Sequence, residues 1–240
     1  MRKQINLLVD ASVYKKPAGG ASRIFDEILL RMCDMEPSLK VELMTPRRLA
    51  QSLPKHSNIG RKHVPNFSLM ESRWFMPKAV SSFCQDQFNR RIVGYGQDKI
   101  WHATYYEIPE HWEGSAVVTV YDMIHERFAK QSTVGSVHDA FRRKKNDAIK
   151  RADKIIAISK STAKDIQEIL GVKSEKIEVI YLGCSEAFVP PTISGAGNNV
   201  SNDEPFFLYV GTRSIKKGHY KNFLKVLEAF SKWKRKDAGL

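Results

Sequence analysis

The chain has 240 residues, 42% hydrophobic and 27% charged, a composition that excludes a fibrous, low-complexity or wholly disordered protein and fits a globular one. No run reaches the ~20 apolar residues that a membrane-spanning helix needs, and the first ten residues, basic and then briefly apolar, lack the core and cleavage site of a secretory leader. Cys33, Cys84 and Cys184 are far apart, odd in number and without metal-ligand spacing, so a reduced, cytoplasmic protein is the expectation.

Strand-like and helical patterns alternate along the chain, with no internal repeat. Ile5–Val9 is a continuous apolar run, as expected of a strand covered on both faces. A loop at 15–22, holding Gly19 and Gly20, leads into a helix with Ile24, Ile28, Leu29 and Met32 at helical spacing. Val41–Met44 reads as a strand, and Lys78–Val93 as a helix with Phe83, Phe88 and Ile92 near one face. Lys99–Ala103 and Ala116–Tyr121 are strand-like, the second rich in β-branched residues. His138–Ala152 reads as a helix with Phe141, Ala148 and Ile149 on one side and a strongly basic other side. Lys154–Ile158 is a further strand. Ser161 or Thr162 is placed to cap the helix that runs to Leu170, with Gly171 as its stop, and Lys176–Tyr181 is the next strand.

Composition then changes. Residues 189–204 are turn-forming and apolar-poor and read as a linker. Pro205–Arg213 reads as a buried strand entering a glycine turn, and Tyr220–Trp233 as an amphipathic helix. The expected organisation is therefore a domain at 1–188, the linker, and at 205–240 the first unit of a truncated second domain. Alternating elements of this kind predict an α/β fold with a Rossmann-like, doubly wound parallel sheet.

The formal net charge of +13 is concentrated in Arg142–Arg151 and Lys216–Lys236. Such blocks suit anionic lipid head groups or phosphorylated substrates, against the plainer alternative of a solvated helix face. Nucleic acid fits less well, because no aromatic-basic motif or zinc-finger spacing accompanies the charge.

Ligands of open parallel sheets sit outside the carboxyl ends of the strands. The Gly19-Gly20 loop precedes a helix, so its N–H groups suit a phosphate or anionic sugar, or it is an ordinary flexible loop; it is not a dinucleotide or P-loop fingerprint. Asp122, His125 and Glu126 follow a strand together, which suits hydroxyl binding or proton transfer. The alternatives are a turn cap for Asp122 and a surface position for His125. His102 at a strand end is either a packed, hydrogen-bonded residue or a ligand contact, and Tyr105 either stacks on a sugar face or anchors its loop. Arg213 and Lys221, near the start of the second domain, suit a diphosphate.

Four segments carry a resemblance. Val117–Glu126, Ala152–Thr162, Ile177–Gly183, and Tyr209–Arg213 followed by Tyr220–Phe223 resemble, in the right order and over about half of the chain, motifs of the family 4 glycosyltransferases. The resemblance implies a GT-B architecture of two Rossmann-like domains around a cleft. It implies transfer of a sugar, with retention, from a nucleotide-diphosphate donor to a glycan or lipid-linked acceptor in cell-envelope polysaccharide or lipopolysaccharide synthesis. No cofactor or obligatory metal is implied. By position, Arg213 and Lys221 match the pair that contacts the donor diphosphate, Gly19 and Gly20 the loop against the reaction centre, and Asp122 the aspartate of a His-Asp pair. Tyr121 stands where that pair has its histidine, and the family's two-glutamate motif falls beyond Leu240. A second chain covering the truncated domain, peripheral contact with an anionic inner membrane face, and a non-catalytic glycan-binding or partner-dependent module are further expectations.

Overall fold

The computed structural model describes residues 4–15, 17, 19–45, 49–64, 77–128, 136–185, 206–211, 213 and 221–233. Seven strands form one sheet: β1 (Ile5–Asp10), β2 (Leu39–Thr45), β3 (Ile59–His63), β4 (Lys99–Ala103), β5 (Ser115–Val120), β6 (Lys154–Ala157) and β7 (Ile177–Val179). Every neighbouring pair is parallel and the order is β3-β2-β1-β4-β5-β6-β7. The helices of this unit are α1 (Gly20–Met35), α2 (Lys78–Val93), α3 (Ile124–Arg127), α4 (Ser136–Arg151) and α5 (Lys160–Leu170). This is the α/β, Rossmann-like sheet that the alternation predicts.

Successive residues of a strand point to opposite faces, and the core divides accordingly. Leu7 and Val9 join Val41, Leu43, Phe25, Leu29 and Cys33 in one cluster. Leu8, between them, joins Met44, Trp101, Val118, Val120, Ile155, Ile149 and Ile166 in the other. Burial on both faces is what makes Leu7-Leu8-Val9 a continuous apolar run rather than an alternating one.

Several local expectations are corrected. The buried stripe of α1 is Ser22, Phe25, Leu29 and Cys33, while Ile28 is exposed. Both stripes have helical spacing, and the docking of α1 on β1 and β2 selects the one carrying the aromatic ring. Phe83 of α2 is 64% exposed. The cap of α5 is Ser159, whose Oγ accepts the Thr162 N–H at 3.1 Å, not Ser161 or Thr162. Gly171 ends that helix at φ 65°, the left-handed geometry that favours glycine. β3 is an unforeseen strand, and β7 stops at Val179, with Tyr181 exposed beyond it. Among the basic residues of α4, Lys145 is fully buried.

The chain divides into compact units at 1–188 and 189–240. The expected linker lies outside the described residues. In the second unit, Phe207 packs against Phe230 of helix α6 (Phe223–Ser231) and against Trp233 just beyond it, and Tyr209 packs against Phe223 of the same helix. The expected buried strand there is instead a segment with one bridging residue, Phe206. Phe206 is 62% and Val210 85% exposed, since the helix packs on only part of the segment.

The two readings of α1 differ in their energetic consequence. Phe25→Ala removes a fully buried ring and costs about 3–5 kcal/mol, whereas Ile28→Ala at an exposed position changes stability by about 0.5 kcal/mol or less, as read by denaturant unfolding of the two variants.

Candidate functional site

The strand order changes direction between β1 and β4, and the crevice at such a switch point is where open α/β sheets bind ligands. There the ladder ends, and strand-end carbonyls need donors from elsewhere. The Thr104 hydroxyl donates to the carbonyl of Asp10, the Tyr121 phenol to that of Thr104 at 3.1 Å, and the Thr162 hydroxyl to that of Tyr121 at 3.2 Å. The loops after β1, β4 and β5 and the first turn of α5 are thereby laced into one edge.

Asp10 ends β1 and is buried. Its carboxylate accepts the Ser12 N–H at 2.9 Å and the Ser12 hydroxyl at 2.7 Å. Burial pushes its pKa up to about 7, and the negative Glu107 adds to that push, against the Ser12 bonds and Lys15. Glu107, in the loop after β4, lies 3.2 Å from the Lys15 ammonium and 2.6 Å from that of Lys144. Burial opposes its ionisation, but the two ammoniums prevail and hold its carboxyl below the usual range. Beside them Tyr14 donates to Asp26 at 2.8 Å.

An aromatic wall stands at the ends of β4 and β5. The Phe141 ring of α4 meets Tyr105 at 5.6 Å, Tyr106 at 5.8 Å and His125 at 5.3 Å between centroids. Asp122 is exposed in front of α3, and its Oδ1 accepts the Ile124 N–H at 3.1 Å, an aspartate-headed turn that leads into that helix. Tyr121 is half-buried, and burial, followed by the nearby Asp10, raises its phenol pKa.

The site residues expected from sequence thus separate. Tyr105 and His125 share the Phe141 wall, with Asp122 on the same turn as His125. His102 is packed instead: buried, edge-on to Phe25 at 5.1 Å, with Nε2 2.9 Å from Thr119 Oγ1 and a pKa lowered by burial to about 4. Gly19 precedes α1, exchanging hydrogen bonds with Ser22, and among the described residues a side chain at Gly20 would meet nothing within 4 Å. Arg213 and Lys221 are exposed in the second unit. Sequence reasoning missed Asp10, Lys15, Glu107, Lys145 and, as a buried group, Glu126. The Asp10-x-Ser12 spacing of an aspartate-headed turn is the one local signal among the first three. Among the described residues no three His, Cys, Asp or Glu side chains are grouped to hold a metal ion, and no helix is long and apolar enough to cross a membrane.

The unit is a Rossmann-like α/β domain with polar and aromatic side chains at the switch point of its sheet. The model of Glycosyltransferase Family 4 matches residues 18–187, and the chain belongs to that family. No curated protein matches the chain. Among solved structures, the wall teichoic acid polymerase TagF is similar with a TM-score of 0.43 and 12% identity, covering 74% of this chain and 38% of that one. A histidine-to-asparagine variant of TagF soaked with CDPG gives 0.44 and 12%, covering 75% and 39%. The chain therefore spans about two-fifths of the length of those structures.

The raised pKa of Asp10 sets a sign for stability against pH. A carboxyl that holds its proton more tightly when folded favours folding below its unfolded pKa, near 4, and loses that contribution as pH rises through about 7. Relative to Asp10→Asn, the wild type becomes less stable between those limits, with a slope of at most about 1.4 kcal/mol per pH unit, one proton's worth. Parallel stability curves for the two proteins would contradict the assignment.

Proposed function

We propose that the chain is the acceptor-side part of a retaining glycosyltransferase with the first elements of its donor side. The substrates are a nucleotide-diphosphate sugar and a hydroxyl of a glycan or lipid-linked acceptor of cell-envelope polysaccharide or lipopolysaccharide synthesis. The single observation that carries the reading is the family match over residues 18–187. The strand-end site is compatible with it. Tyr105, backed by Phe141, offers a ring face to a sugar. Asp122, exposed, accepts a hydrogen bond from an acceptor or donor hydroxyl. His125 borders the same wall, and the uncrowded backbone at Gly19 and Gly20 lets a sugar approach. His102 has a supporting place beneath them, and Arg213 and Lys221 hold the diphosphate. The acceptor oxygen bonds to the anomeric carbon as the bond from that carbon to the diphosphate oxygen breaks. The hydroxyl proton leaves with the nucleotide diphosphate or to solvent, and no resident cofactor takes part.

The exposed Arg143, Lys144 and Lys150 of α4 suit an anionic membrane surface carrying a lipid-linked acceptor. Lys145, counted with them on sequence, is buried and does not belong to that surface.

With a complete donor side present, the chain, given a panel of nucleotide-diphosphate sugars and a lipid-linked acceptor, releases nucleotide diphosphate with one donor. The Asp122→Ala variant does so with kcat/KM lower by about 10²-fold, while its stability falls by only about 1 kcal/mol through the lost turn hydrogen bond to Ile124. Glycan binding without release from any donor would instead favour the non-catalytic module. For the membrane contact, Arg143→Glu with Lys150→Glu weakens partitioning onto anionic vesicles by about tenfold or more, given about 1 kcal/mol per basic residue. Unchanged partitioning in a sedimentation assay removes that part of the reading.

A further inference from the structure

We propose that Lys145 is a positioning residue of the acceptor site: its ammonium, clamped between the Glu126 carboxylate and the Asp122 carbonyl, fixes the 122–126 turn that presents Asp122 and His125. The inference rests on the reading above for what the turn binds, and on the structure alone for what holds the turn.

Lys145 lies on α4 in the apolar stripe, four residues after Phe141 and four before Ile149. Its side chain is 1% exposed, as is that of Glu126, and the Lys145 Nζ stands 2.6 Å from Glu126 Oε2. The same ammonium donates to the carbonyl of Asp122 at 3.0 Å and faces the rings of Tyr106 at 5.7 Å and Phe141 at 6.0 Å. The other Glu126 oxygen is within 3.1 Å of the Asn146 amide once that amide is oriented to donate. One cation thus holds both ends of the five-residue turn, its first carbonyl and its fifth side chain.

Stability alone is a poor reason for such a pair, because two charges taken from water regain little over a well-packed apolar pair of similar volume. Location supplies the reason. Helix α3 has four residues, too few to form without tertiary support. Its outer side is tied to α5, where Arg127 pairs with Asp165 and with Glu168. Its inner side is tied to α4 by Lys145. An apolar side chain would fill the space but could not hold a carbonyl, so the turn would keep its cover and lose its register against the Phe141 wall.

Three variants of the full chain test this: Lys145→Met, Glu126→Gln, and the two combined. Either single change leaves one buried charge uncompensated and lowers the thermal midpoint, and the combination recovers much of that loss. Amide hydrogen exchange is the deciding readout. In Lys145→Met and in the combined variant, the Ile124, Arg127 and Phe128 amides exchange at least about tenfold faster, the weight of a lost hydrogen bond from a charged donor, while those of β5 keep their wild-type rates. In turnover, the KM for acceptor rises and that for donor does not. Wild-type exchange at the turn in the combined variant, or a rise spread evenly over the sheet, overturns the proposal and leaves the pair a stability element. Faster exchange at the turn in the variants, with no transfer by the wild type when a complete donor side is present, strikes the glycosyl-transfer reading and keeps the clamp.

Discussion

A sheet whose strands all run parallel must be covered on both faces, and most of this chain follows from that constraint. Alternate residues of β1 enter different cores, so the central strands have no polar face to give to chemistry. Polar function is displaced to the strand ends, where the ladder stops and carbonyls lack partners. Thr104, Tyr121 and Thr162 meet that need with hydroxyls. The same bonds that satisfy the backbone therefore bring the loops after β1, β4 and β5 together, and the candidate site is a consequence of closing the sheet.

Burial at this edge leaves an ionisable group two ways to persist, and both are used. Asp10 accepts bonds from Ser12, and burial shifts it toward its protonated form, so that its charge varies near neutral pH. Glu126 has a cation, Lys145, delivered from another helix. The first solution makes the end of β1 sensitive to protons. The second makes the turn after β5 dependent on the docking of α4. The wall of Tyr105, Tyr106, Phe141 and His125 draws on the loop after β4, on α4 and on the turn after β5, so its shape reports on whether that docking is correct.

Much of the fold was legible because central strands advertise themselves: Leu7-Leu8-Val9 is apolar on both faces, and Val117–Val120 is apolar but for Thr119. The edge strand β3, Ile-Gly-Arg-Lys-His, does not, since an edge is half solvated and tolerates charge. Spacing identified α1 and placed Leu29 on its buried face, but it took the exposed Ile28 for a core position and passed over Phe25, which clusters with residues of β1 and β2. At the site, Asp122, His125 and Tyr105 were visible from their place after strands. Glu107 with Lys15 was not, because a contact between residues 92 positions apart has no local signature.

Lys145 differs from Glu107 and Lys15 in that its signal is local. Counted with Arg142, Arg143 and Lys144, it looks like one more charge on a solvated face. Counted against Phe141, Ala148 and Ile149, it falls at i+4, i−3 and i−4, inside the buried stripe. A lysine at such a position either leads its stem out to solvent or meets a carboxylate indoors. The stripe here faces the ends of β4 and β5, whose loops supply Tyr106 and Glu126, and the second course is taken. A charge in an apolar stripe is thus a prediction of a distant partner of opposite sign, and the partner marks the segment whose position the charge controls.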